Sequence, residues 1–257
     1  MRAKFVESVL SRLLSEGTLK KDSDIIAICA GQKERALFQQ LGFTNVTITN
    51  RDERMQGQEF APFRWSYQDA HKLTFDDGQF EFGFVSDGLH HCAAPHSALV
   101  ELYRVARKGI IAFEARDSLM MRIANCLGLS PRYEVHSVVG WGYKYGGVNN
   151  SHIPTFIHRW TEKEFAKTIS SYNPTGKHDF RFFYDLNLPV DSPGWSKAKK
   201  AVVKAVDPIM KAVTSIDKRQ CNSFGMLAIK PRLPGDLWPW LELRNGKIEF
   251  NMQFRLR

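Results

Sequence analysis

The sequence is poor in the features that identify specialised classes of protein. Its four cysteines lie far apart and form no Cys-x-x-Cys pair, which disfavours a zinc finger and predicts free thiols in a reducing compartment. Its longest apolar runs, Ile25–Ala30 and Gly109–Phe113, are far too short to cross a bilayer. Charged side chains interrupt the N-terminal segment, which is not typical of a signal peptide. We therefore expect a cytoplasmic protein with no metal site and no membrane span.

Composition places the chain among ordinary globular proteins. Of the 257 residues, 43% are apolar and 25% are charged, which excludes disorder and collagen-like repeats. The net charge of +9 comes wholly from residues 131–257, which carry 20 basic and 11 acidic residues. Because this charge is spread out and no arginine-rich block occurs, we disfavour nucleic acid as a partner. A solvated surface and a small acidic substrate explain the charge better, and a contact within a homodimer stays open.

Short apolar runs alternate with amphipathic stretches along the chain. The predicted strands are Ile25–Ala30, Val46–Thr49, Phe63–Tyr67, Phe80–Ser86, Gly109–Glu114, Lys177–Leu188 and Ser223–Lys230. The predicted helices are Ala3–Ser15, Lys33–Leu41, Pro95–Val105 and one from Thr161 to about Tyr172. Strands that are separated by helices pair in parallel through right-handed crossovers. The pattern predicts an α/β fold, a Rossmann-like seven-stranded, mostly parallel sheet with helices on both faces and its first strand in the centre.

Three additions to this sheet are predicted. A cap insertion over residues 116–160 is rich in glycine and aromatic residues and follows directly from a strand. A helical insertion over residues 195–217 has apolar residues at three- and four-residue steps, and Asp207-Pro208 is expected to restart that helix. Residues 231–257 form a C-terminal extension with a β-hairpin around Asn245-Gly246. We expect residues 1–230 to form one α/β domain that contains both insertions.

The ends of the predicted strands indicate where a ligand binds. In open α/β sheets, ligands lie beyond the carboxyl ends of the strands. The first strand ends in small residues, Ala30 and Gly31, which let backbone N–H groups approach a ligand. Asn50 and Asp52 follow Gly31 by 19 and 21 positions, the distance at which a ribose-binding polar residue is expected. A plain turn with surface polar residues would give the same pattern.

Three further stretches resemble a known family. Gln68-Asp69-Ala70-His71-Lys72-Leu73 is followed by Asp76-Asp77-Gly78-Gln79-Phe80, and the next strand ends in Val85-Ser86-Asp87-Gly88-Leu89-His90-His91. Leu102-x-Arg104-Val105 with Lys108-Gly109 continues the series. Together these motifs resemble the class I S-adenosylmethionine-dependent methyltransferases of the small-molecule (type 11) group. The resemblance covers residues 25–115 well and residues 160–230 loosely, and it implies S-adenosylmethionine as the cofactor.

The resemblance also implies a role for individual residues. By position, Cys29, Ala30 and Gly31 would hold the methionine part of the cofactor; Asn50 or Asp52 would bind the ribose; Asp69 and Ala70 would bind the adenine; and Ser86 and Asp87 would border the sulfonium. Two departures stand out. Ala27 replaces the usual acidic residue of the first motif, and Gly31 is the only one of its glycines that is kept.

Catalytic and substrate residues follow from the needs of methyl transfer. Removal of a proton from the acceptor would require a general base, and His90 and His91 lie beside the predicted sulfonium position. Adjacent residues point apart, so only one of them, preferably His91, is expected to face the site; positioning alone is the alternative. The cap offers Arg116, Trp141, Tyr143 and Arg159 as substrate contacts, unless it is simply an aromatic-cored lid without ligand contact.

Two functions remain open from the sequence. The first is methyl transfer from S-adenosylmethionine to an oxygen or nitrogen atom of a small polar acceptor, acidic or sugar-like. The second is a catalytically inactive methyltransferase-fold protein that acts as a binding or assembly module through its basic half.

Overall fold

A computed structural model describes residues 2–188 and 196–255. Its strands are β1 Ile25–Ala27, β2 Val46–Asn50, β3 Arg64–Tyr67, β4 Phe80–Ser86, β5 Ala106–Ala115, β6 Asp179–Asp185, β7 Ser223–Ile229, β8 Leu241–Arg244 and β9 Lys247–Phe250. Its α-helices are α1 Arg2–Ser15, α2 Gln32–Gln40, α3 Pro95–Val105, α4 Leu119–Cys126, α5 Val135–Gly140, α6 Glu162–Tyr172 and α7 Lys197–Ile216. Among these described residues, no helix has the length and apolar character that a membrane crossing requires.

Seven strands form one sheet in the order β3-β2-β1-β4-β5-β7-β6. Strands β1 to β5 pair in parallel, whereas β7 is antiparallel to both of its neighbours. The predicted fold class is therefore confirmed. The first strand lies inside the sheet between β2 and β4, although β4 holds the middle place. Strand β1 is shorter than predicted because the chain turns at Cys29, whose φ is 52°.

Both faces of the sheet are covered by helices. On one face, Ile26 and Val85 belong to an apolar core with residues of α3 and α6. On the other face, Ile25 and Phe84 pack in a second core with residues of α1 and α2, among them Phe38. Strands buried on both faces have continuous rather than alternating apolar sequences, which explains the apolar runs that predicted them.

The predicted additions are present with one correction. The cap insertion contains α4 and α5, and the C-terminal hairpin pairs Leu241–Arg244 with Lys247–Phe250 around Asn245-Gly246, both at positive φ. The prediction that the second insertion restarts at Pro208 was wrong, because α7 runs unbroken through this residue. Val203 and Met210 are buried on either side of Pro208, so packing holds the helix together despite the lost hydrogen bond. Residue 195 lies outside the described residues, and the domain division at residue 230 stays a prediction.

Packing within the sheet predicts that a larger residue at Gly109 is destabilising. Gly109 of β5 pairs with Ile229 of β7. A Cβ atom at this position would lie 2.5 Å from the carbonyl oxygen of Ala228, a backbone atom that cannot move aside. We expect Gly109→Ala to lower the free energy of unfolding by about 1–3 kcal/mol through overpacking. The control is Gly140→Ala at the end of α5, where a Cβ would meet no atom within 4 Å. Equal urea midpoints for the two variants would contradict the prediction.

Candidate functional site

The loops after β1 and β4 touch each other at the carboxyl edge of the sheet. Gly88 comes so close to Cys29 that a Cβ on Gly88 would lie 2.5 Å from the Cβ of Cys29. The Sγ atoms of Cys29 and Cys92 are 3.8 Å apart. The hydrogen bond with Cys92 and burial raise the pKa of the Cys29 thiol well above its usual value. Cys29 is therefore a neutral packing residue of this loop and no thiolate nucleophile.

The turn between β1 and α2 is closed by a carboxylate. The N–H of Gly31 donates to Oε2 of Glu34 at 2.8 Å, so the first turn of α2 binds its own acidic side chain. Burial raises the pKa of Glu34, although the backbone hydrogen bond from Gly31 opposes this shift. The positive end of a helix favours a negative charge, and Glu34 occupies this place in the structure.

Asn50 ties the ends of β1 and β2 together. Its Nδ2 donates to the carbonyl oxygen of Ala30 at 2.8 Å, and its Oδ1 accepts the N–H of Asp52 at 3.0 Å. Asp52 is buried and binds Arg54 through two side-chain hydrogen bonds, of 2.8 and 2.5 Å. The hydrogen bonds from Arg54 lower the pKa of Asp52, so this carboxylate is ionised at neutral pH.

A second ionised carboxylate follows β3. Asp69 accepts hydrogen bonds from Arg51 at 3.0 Å and from Nδ1 of His71 at 2.7 Å. Burial alone would raise the pKa of Asp69, but the hydrogen bonds from His71 and the charge of Arg51 lower it. The next residue, Ala70, is buried.

The end of β4 completes this edge. Ser86 and Asp87 are half-buried, and the N–H of Asp87 donates to the carbonyl oxygen of Phe113 in β5 at 2.8 Å. Asp87 has a φ of 51°, so the chain turns sharply at this residue. The structure thus places the predicted cofactor residues along one edge, at the ends of four adjacent strands. They are Cys29, Ala30, Gly31, Asn50, Asp52, Asp69, Ala70, Ser86 and Asp87.

The two candidate histidines have different surroundings. His90 is buried, and its Nδ1 lies 2.8 Å from Glu114 while its Nε2 lies 3.0 Å from Glu134 of the cap. Burial disfavours a charged ring, but the charges and hydrogen bonds of both carboxylates outweigh it and raise the pKa of His90 to about 10. His90 therefore keeps its proton at neutral pH, and a role for it as general base does not fit its surroundings.

His91 is the more accessible ring. It is partly exposed, and its Nε2 lies 3.2 Å from the Glu134 carboxylate. The hydrogen bonds from His90 and His91 hold the pKa of Glu134 far below its usual range. The sequence analysis did not single out Glu114 or Glu134 as site residues, although a glutamate that ends an apolar strand, as Glu114 does, is a detectable signal.

The four predicted substrate residues do not form one wall. Arg116 is buried and holds Glu162 through both guanidinium Nε and Nη2, so its charge is already neutralised. Trp141 and Tyr143 are exposed, and Trp141 stacks on the guanidinium of Arg54 at 4.6 Å. Of the four, Arg159 lines a cavity between the cap and α7.

That cavity lies beyond the carboxyl end of β5 and has a volume of about 270 Å³. Ala115 of β5 and Ser223 of β7 form its floor, and α4, the end of the cap and α7 form its sides. Sequence reasoning missed the contribution of α7, because which helix packs over a strand end is not encoded locally. A second cavity, of about 330 Å³, lies beside His90 and His158.

Comparison with known proteins supports a family for part of the chain. Residues 26–113 match the family model described as a methyltransferase domain, and this segment contains the motifs on which the resemblance rests. This match agrees with the predicted resemblance to methyltransferases over the same residues. No curated protein matches the chain.

Solved structures share the fold at low sequence identity. One is magnesium protoporphyrin IX methyltransferase from Synechocystis PCC 6803 with bound SAH, at 14% identity and a TM-score of 0.53, with 90% of this chain and 84% of that chain covered. A chain of the complex that contains the Trm112 methyltransferase activator of Haloferax volcanii matches at 13% identity and a TM-score of 0.52, with 90% and 93% covered. The YcgJ protein of Bacillus subtilis matches at 12% identity and a TM-score of 0.50, with 87% and 98% covered. These likenesses show the shared fold alone.

The charged state of His90 leads to a pH prediction. The pKa of His90 in the folded protein, about 10, exceeds the ordinary value of 6.5. The charged His90 ring therefore stabilises the folded state fully below pH 6.5, and this contribution is lost as the pH rises towards 10. We expect wild-type protein to lose up to about 1.4 kcal/mol of stability per pH unit over this range, relative to His90→Gln. Urea unfolding of both proteins at about pH 7 and about pH 9 measures the difference. Parallel pH profiles would mean that His90 carries no proton in the folded state.

Proposed function

We propose that this chain, whose residues 26–113 match a methyltransferase domain model, transfers a methyl group from S-adenosylmethionine to an oxygen or nitrogen atom of a small polar acceptor. One observation carries the proposal. Two ionised carboxylates, Asp52 and Asp69, follow β2 and β3 and lie beside the turn after β1, at the edge where an open α/β sheet binds its ligand.

The chemistry of these donors fits the cofactor. Ribose hydroxyls and an adenine amino group both need acceptors, and ionised carboxylates are strong ones. In the proposal Asp52 accepts from the ribose and Asp69 from the adenine, while buried Ala70 offers its backbone. Asn50 acts through its bonds to Ala30 and Asp52, which fix the two loops relative to each other. Ser86 and Asp87 then border the sulfonium.

The turn after β1 has a more limited role than the resemblance implied. Because Glu34 already accepts the N–H of Gly31, a cofactor carboxylate would have to displace it or bind elsewhere along Cys29 and Ala30. The missing acid at Ala27 weakens the same half of the site.

The mechanism needs few catalytic groups from the protein. S-adenosylmethionine supplies a methyl group on a sulfonium, which is already a good leaving group. The chain's main contribution is to hold the acceptor in line with that methyl group. His91 is our candidate for removing the acceptor's proton, because its partner histidine is held charged between Glu114 and Glu134. We do not propose the inactive binding module, because no contact of the described residues favours it over transfer.

Asp69 provides the first test. Loss of a charged hydrogen bond to the adenine costs roughly 1.5–3 kcal/mol, so Asp69→Ala should weaken S-adenosylmethionine binding about 10- to 100-fold in calorimetry. Asp76→Ala is the matched control, since Asp76 is an exposed acid in the following loop. Thermal unfolding without cofactor checks that the loop around Arg51 and His71 stays folded. An unchanged dissociation constant would remove Asp69 from the site.

His91 provides the second test. If it removes the acceptor's proton, His91→Gln should lower kcat about 10²- to 10⁴-fold and leave cofactor affinity unchanged. The rate is measured as release of S-adenosylhomocysteine with an acceptor found by screening. The control is His136→Gln, which replaces an exposed histidine of the cap. A full rate in His91→Gln would leave positioning as the sole contribution of the chain.

A further inference from the structure

We infer that the acceptor is an amphipathic anion, with an apolar body in the cavity beyond β5 and a carboxylate on Arg159. The inference rests on the proposed function and narrows its substrate class. It departs from the polar acceptor that the sequence suggested, because the cavity walls are mainly apolar.

The walls of this cavity are flexible and hydrophobic. Its apolar lining comes from α4, the segment after it, the end of the cap and α7. The residues are Met120, Met121, Ala124, Leu129, Pro131, Ile157, Leu188, Val203, Val206 and Met210. Unbranched methionine side chains adapt to ligands of varied shape. A volume of about 270 Å³ lies just below the usual range for ligand pockets, which favours a small molecule over a nucleotide or polymer.

Asn187, Asn222 and Ser130 form hydrogen bonds with other residues that line the cavity. Asn187 and Asn222 exchange two hydrogen bonds, of 2.8 and 2.6 Å, and so close one wall. Ser130 accepts from Nη2 of Arg159 at 3.0 Å. Among the described residues that line the cavity, Arg159 is the charged one.

Arg159 is short of hydrogen-bond partners. Its Nη1 and Nη2 donate to the carbonyl oxygens of Ile157 and Pro131 and to Ser130, but no carboxylate binds it within the described residues. Its Nε is buried and lacks any hydrogen-bond partner there. The nearest acid that acts on it, Asp117, is bound by Arg122 instead. Burial lowers the pKa of Arg159, which is the expected result for a desolvated charge without a counter-ion.

Arg159 is half-buried and has no carboxylate partner among the described residues, so a bound carboxylate would supply a pairing that its charge lacks there. The cavity is also in the right place. Ala115, in the floor of the cavity, is the last residue of β5, and β5 pairs with β4. Strand β4 ends at Ser86, and Ser86 and Asp87 border the proposed sulfonium position. An acceptor whose anionic end binds Arg159 would lie next to the strand ends that are proposed to hold the cofactor.

Binding of two matched probes without cofactor tests the inference. Octanoate and octanamide have equal chain lengths and differ in charge. We expect octanoate to bind the wild-type chain about 10- to 100-fold more tightly than octanamide in calorimetry, the range for one charged hydrogen bond. Arg159→Met should abolish this preference, whereas Arg132→Met, an exposed arginine of the same cap, should keep it.

Two further variants guard against misfolding. Arg159→Lys keeps the charge and should retain part of the preference for octanoate. Ala124→Phe fills the cavity and should abolish binding of both probes while urea unfolding stays cooperative. Equal affinity of the wild-type chain for both probes, no binding of octanoate, or a preference that survives Arg159→Met would each overturn the inference. Because no cofactor is present, these outcomes are separate from failure of S-adenosylmethionine binding in the Asp69 experiment.

Discussion

The carboxylate of Glu114 is the constraint on which the site depends. It is fully buried at the end of β5, where an ionised group without partners would be very costly. It accepts the N–H of Leu89 at 2.7 Å and binds Nδ1 of His90, whose other nitrogen reaches Glu134. One chain of charged hydrogen bonds therefore fixes the loop after β4 and the cap to the sheet. Breaking a buried pair such as His90–Glu114 typically costs about 3–5 kcal/mol, so the loop after β4 is held firmly to β5.

Two parts of the sheet edge differ in their chemistry. On the β1–β3 side, ionised carboxylates and backbone turns form a polar edge, in which Glu34 is bound by the N–H of Gly31 and Asp69 by Arg51. On the β5–β7 side, the cap and α7 enclose an apolar space. The histidine pair lies between the two sides. His90 links them structurally, and the partly exposed ring of His91 lies beside it against Glu134.

The elements of the fold were predictable because their signals are local. The bounds of β4 and α3 and the turn of the hairpin agree with periodicity and with turn residues. The family motifs also placed the cofactor residues on adjacent strand ends. The contacts that define the acceptor side were not predictable, since His90 meets Glu114 and Glu134 across 24 and 44 residues. Such pairs depend on which loops the packed core brings together, and no pattern in a single sequence encodes that.

Two arginines at the ends of the cap show why charge counts say little about binding. Arg159 lies in the basic segment of residues 131–257, and Arg116 precedes that segment. The sequence analysis predicted both side chains as substrate contacts. Glu162 lies within reach of Arg116 and satisfies it with bonds of 2.8 Å, so that charge serves the fold. Around Arg159 the described residues supply carbonyl and hydroxyl oxygens as acceptors and no carboxylate, so none of them pairs with its charge in the mainly apolar cavity. The net charge of +9 does not distinguish these two side chains, and Arg159 is the one to which we assign an anion.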